Sequence, residues 1–90
     1  MEDIELLKIK LATEKDIKDA IFCTIEEMSE LTKVLTKYLR NSSKFSIEDL
    51  SEELAHSLMT LELIKNMFYI SDECIKNEQL NALKRCFGIE

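Results

Sequence analysis

The residues best suited to chemistry in this chain fall in two acidic clusters. The first is Glu26, Glu27 and Glu30; the second is Glu52 and Glu53, followed by His56. Each lies inside a long apolar-periodic segment, which places it mid-helix, where side chains three apart share a face. Like charges at that spacing destabilise a helix unless something positive sits among them. Carboxylates converging on one point are also how proteins hold Mg²⁺, which takes oxygen ligands and is completed by water and substrate phosphates. The competing reading is a solvated acidic face, common for any E-x-x-E. Two such clusters, both bordering an apolar stripe, weigh against it.

Helices must position these clusters. The chain has no proline and a single glycine, Gly88, and no alternating β-branched run, so an all-α fold is expected. Residues 1–10 read as a short lead-in helix. Thr13 with Asp16 reads as a capping box opening a helix that runs to about Arg40, followed by the polar loop 41–44. Ser46 with Asp49 opens a second long helix to about Ile70, and Ser71 caps a last helix stopped by Gly88. Two long antiparallel helices with short helices at each end are therefore expected in a single domain spanning residues 1–90.

At about 100° per residue, Ile17, Ile21, Met28, Leu31 and Leu35 form one stripe, expected to be core, with Thr24 as its polar exception. Ile47, Leu50, Leu54, Leu58 and Leu61 form the matching stripe on the second helix. Glu27 falls on the flank of the first stripe, among Ala20, Cys23, Leu31 and Val34. Glu53 occupies the equivalent flank of the second, with Ser57, Thr60 and Ile64 around it. A carboxylate at the edge of an apolar face is costly to desolvate unless paired or metal-bound. Neither glutamate has a lysine one turn on to relieve it.

Twelve Lys and Arg against eighteen Asp and Glu leave a net charge of −6. The chain lacks the basic stripe that a nucleic-acid partner requires. An acidic protein acting on phosphates needs a bound cation and a few placed basic groups. No apolar run approaches the roughly 18–20 residues of a membrane span, and the N-terminus lacks a signal-peptide layout. Cys23, Cys74 and Cys86 are odd in number and form no C-x-x-C, which fits reduced thiols and a cytoplasmic location.

Glu-Glu-x-x-Glu-Leu, a loop, and then Glu-Glu-Leu-Ala with a leucine- and methionine-rich continuation resembles the MazG-like all-α nucleoside triphosphate pyrophosphohydrolases. The family pattern is E-x-x-E, a spacer, then E-x-x-D. Here the halves are Glu27-Met28-Ser29-Glu30 and Glu53-Leu54-Ala55-His56, and the likeness covers nearly the whole chain. It implies that Glu27, Glu30, Glu53 and the residue at position 56 hold Mg²⁺, which bridges the phosphates of a nucleoside triphosphate cleaved to monophosphate and pyrophosphate. It also implies Glu26 as a candidate for orienting the attacking water, and Lys37 and Arg40 as candidates for phosphate contact.

One departure matters: His56 stands where the family has aspartate. Imidazole suits transition metals better than Mg²⁺, so weaker Mg²⁺ binding, acceptance of Mn²⁺, or loss of activity all remain open. Asp49, one turn before Glu53, is a partial substitute. The last helix also carries fewer basic residues than the family pattern. If activity is lost, the alternative is a non-catalytic helical oligomer acting as an interaction or regulatory protein.

Apolar residues off the main stripes, Phe22, Ile25 and Leu39 on one helix and Met59, Leu63 and Met67 on the other, need partners. A homodimer completing a four-helix bundle, or a dimer of dimers, is the expected solution.

Overall fold

The computed structural model describes residues 3–89, and all of its regular structure is helical: α1 Ile4–Glu14, α2 Ile17–Leu39, α3 Ile47–Met67 and α4 Asp72–Cys86. The first two residues of the expected lead-in helix lie outside the described residues. No described helix is long and apolar enough to cross a membrane.

Caps explain where the helices begin. Ser46 accepts from the Asp49 N–H at 3.0 Å, and Ser71 from the Cys74 N–H at 3.1 Å, as their sequence positions predict. The expected start at Thr13 is corrected. Nothing between Lys10 and Glu14 breaks a helix, so α1 continues to Glu14, and the Thr13 hydroxyl donates back to the Lys10 carbonyl at 3.0 Å. Asp16 is the true N-cap of α2; its carboxylate accepts from the Lys18 N–H at 3.1 Å.

Three helices end on one device, a residue in the left-handed region whose successor's N–H reaches back to the last turn. Asn41, Tyr69 and Gly88 hold φ of 52°, 57° and 66°. The amides that follow bond to Lys37, Lys65 and Lys84 carbonyls at 3.0, 3.0 and 2.8 Å. Tyr69 occupies the glycine-type position at the end of α3, which therefore stops at Met67, short of the expected Ile70.

The hairpin α2–α3 is the body of the fold, and it is antiparallel: contacts descend α3 as they ascend α2. The Thr24 hydroxyl donates to the Ala20 carbonyl at 2.8 Å, with the Thr60 carbonyl 3.4 Å away, and the Ser57 hydroxyl donates to the Glu27 carbonyl at 3.2 Å. The seam is built from small residues. Ala20 is 0% exposed, Ser57 2%, and Thr24 and Thr60 are buried beside Val34 and Leu63. Small side chains let two backbones approach closely, and the hydroxyls satisfy themselves on carbonyls of their own or the facing helix. Ala20→Leu is therefore expected to lower stability by about 1–3 kcal/mol through overpacking, read as a shift in the urea midpoint. An unchanged midpoint would mean that the seam has slack.

This seam corrects the expected core. The Leu and Ile stripes are not centred on it: Met28 and Leu35 remain 47% exposed, Leu54 45% and Leu58 59%, while Leu31 and Leu50 are half-buried. Close packing selected the small-residue line beside each stripe, the same flank on which Glu27 and Glu53 sit. At about 100° per residue, both stripes are displaced from the seam in the same rotational sense. On antiparallel helices the same sense turns both to one face of the hairpin.

α1 covers a different part of α3, over Met59, Glu62 and Leu63, where the Lys8 ammonium meets the Glu62 carboxylate at 2.8 Å. That bond raises the Lys8 pKa above its ordinary value. Leu63 thus finds its cover within the chain. α4 packs on none of the other described helices. It is tied to α3 by the Lys65–Asp72 ion pair at 2.8 Å, whose hydrogen bond holds the Asp72 carboxyl below the usual range.

Candidate metal centre

Glu27, at the middle of α2, and Glu53, one turn before Ser57 on α3, face each other across the seam. His56, one residue before Ser57, comes in from the side. One ligand atom from each of Glu27, Glu53 and His56 lies within 4.8 Å of the other two. His56 Nδ1 is 3.3 Å from Glu27 Oε2, with the histidine ring 44% exposed and the glutamate side chain 30% exposed. All three are half-buried.

Glu53 Oε2 is fully buried and has no hydrogen-bond partner. A buried carboxylate oxygen without a donor is expensive, several kcal/mol for an isolated ion even after relaxation. The His56–Glu27 contact does nothing for it. Two carboxylates and one imidazole so placed are a donor set that a divalent cation would fit. The donor set fits: at metal–ligand distances of about 2.1 Å, tetrahedral neighbours lie about 3.4 Å apart, close to the observed Nδ1–Oε2 separation.

Ser57 sets the position of Glu27 from below by its bond to the Glu27 carbonyl. Its only cue in the sequence is its place one turn after Glu53.

The other residues implied in the sequence are arranged differently. Glu30 is not drawn into the cluster; its carboxylate pairs with Lys33 at 3.2 Å on the exposed side of α2. Glu26 is exposed beside Glu27 on that same side. Lys37 and Arg40 lie about 15 and 20 Å along the axis from Glu27, with Lys33, Thr32 and Thr36 around a shallow depression of their own. Asp49 is exposed one turn before Glu53, its backbone N–H engaged by Ser46. Among the sites the sequence singled out, the structure gathers Glu27, Glu53 and His56 alone. Comparison of the chain with family models, with curated proteins and with solved structures finds no match.

Proposed function

We propose that this protein is a divalent-metal-dependent pyrophosphohydrolase of nucleoside triphosphates, working as a homo-oligomer. The single observation that carries the proposal is the convergence of Glu27, Glu53 and His56 across the α2–α3 seam, with a buried Glu53 oxygen lacking any partner. The MazG-like pattern of the two motifs supports the substrate class.

Glu27 and Glu53, with His56, would hold the ion, which would supply neutralisation of phosphate charge and polarisation of the phosphorus. The open side of the centre admits the triphosphate tail. Glu26 lies on the exposed side of α2, outside the ligand set, so the attacking water loses its proton to solvent, and pyrophosphate leaves as the nucleoside monophosphate forms. The fixed positions of Glu27 and Glu53 on two packed helices supply the positioning that dominates phosphoryl-group chemistry. Lys37 and Arg40, a long way down α2, fall outside the reacting group of their own protomer.

The oligomer follows from the uncovered stripes. The solvent-accessible surface is 7542 Å², against about 5,400 Å² for a folded monomer of this mass. The radius of gyration is 16.0 Å, against about 12 Å for a chain this long. A second copy covering the α2–α3 apolar face makes a four-helix bundle and removes much of that excess.

A second reading has its own support: the His56–Glu27 contact at 3.3 Å is also a stable arrangement without an ion. It makes the chain a non-catalytic helical interaction protein. The two part in a pyrophosphate-release screen over canonical and modified triphosphates with Mg²⁺ and with Mn²⁺. Metal-dependent release that disappears in Glu27→Gln is the expected result. A folded wild type that releases nothing with either ion leaves the interaction protein standing.

A further inference from the structure

We infer that His56 coordinates the ion directly and tunes this centre toward borderline transition ions of the Co²⁺ and Zn²⁺ class and away from Mg²⁺. The inference rests on the metal-centre reading above and goes beyond it by assigning the class of ion.

Three observations lead to it. His56 is a full member of the cluster by distance, as close to Glu27 as a shared ion requires. The third carboxylate that an all-oxygen site would use, Glu30, is outside the cluster, on the exposed side of α2 and 3.2 Å from Lys33. The remaining set is therefore two carboxylate oxygens and one imidazole nitrogen. Mg²⁺ demands near-ideal octahedral oxygen ligation and is reluctant to exchange its waters, whereas imidazole suits first-row transition ions. Three protein donors with an open side also match the pattern of catalytic transition-metal sites that keep a position for water.

The His56–Glu27 contact alone leaves the main anomaly in place. It satisfies Glu27 and His56 and leaves Glu53 Oε2 buried and unbonded. An ion held by all three accounts for every member of the cluster.

Every site with nitrogen or oxygen donors favours Co²⁺ over Mg²⁺ to some degree, so the informative quantity is how that preference changes with residue 56. Calorimetric titration of the full chain with Co²⁺ and with Mg²⁺ is run on wild type, His56→Asp and His56→Gln, with the visible absorption of bound Co²⁺ reporting its ligand set. Helical circular dichroism confirms that each variant is folded. The expected result is a Co²⁺-to-Mg²⁺ affinity ratio that falls at least about tenfold in His56→Asp, with tighter Mg²⁺ binding. His56→Gln weakens Co²⁺ by at least about tenfold, and the Co²⁺ spectrum changes in both. A ratio and spectrum unchanged by His56→Asp overturn the role of His56 while leaving an ion site on Glu27 and Glu53. Folded wild type that binds neither ion overturns this inference and the metal centre with it.

Discussion

Glu53→Gln is expected to remove divalent-ion binding and, with no ion present, to make the hairpin more stable. The two effects point in opposite directions for one reason. Glu53 faces Glu27 across the seam with one oxygen buried and unbonded. Without an ion, that carboxylate stands near a like charge with one oxygen buried and unbonded, and exchanging it for a neutral amide removes the repulsion between the two. With an ion, Glu53 is one of three protein ligands. Losing it weakens binding by roughly 100-fold, or about 2.7 kcal/mol. Urea unfolding in chelator and calorimetric titration with Co²⁺ measure the two sides. A residue that serves only to hold the fold behaves otherwise: its loss lowers stability and leaves ion affinity alone. That pair of results would remove the observation on which the hydrolase proposal stands.

The legible part of this fold is its local chemistry. Ser46 and Ser71 announce two helix starts because a hydroxyl bonding the third amide is a short-range event, complete within four residues. Gly88 announces a stop because glycine reaches a positive φ without strain. Thr13 misleads because it lies inside the last turn of α1, which ends at Glu14, and Asp16 offers the cap three residues later. Tyr69 gives no warning, since its left-handed backbone is imposed by closure of the last turn of α3.

The seam was hidden for a different reason. Periodicity finds the most apolar line on a helix, but helix–helix approach is decided by side-chain size and by whether hydroxyls find carbonyls. Ala20, Thr24, Ser57 and Thr60 win on those terms while the larger residues stay outside. Glu27 and Glu53 were legible as a pair because both sit on the flank that became the seam. Glu30 was not separable from Glu27 by pattern alone. It lies instead on the exposed side of α2, 3.2 Å from Lys33.

Leu58→Glu is expected to convert a dimer of this chain into a monomer. Leu58 is 59% exposed on the face that α2 and α3 share, with Leu54 and Leu61 on its own helix and Ile21, Met28 and Leu35 on the other. α1 lies over Met59 and Leu63 and leaves this face open, and α4 packs on none of the helices. A two-fold pairing of such faces buries Leu58 twice. Burying a leucine stabilises by about 1.5–3 kcal/mol, so each substitution acts twice and the dissociation constant should rise about 100-fold or more. Two carboxylates brought into an apolar contact add a desolvation cost in the same direction. Lys33→Gln, on the charged side of α2, should leave the association unchanged. Sedimentation over a range of concentrations reads both. Wild type that stays monomeric near about 100 µM, a concentration at which even micromolar association is complete, would show that the apolar face serves something other than a second copy. The four-helix bundle would then have no basis in this chain, and the metal centre would have to work on a lone hairpin.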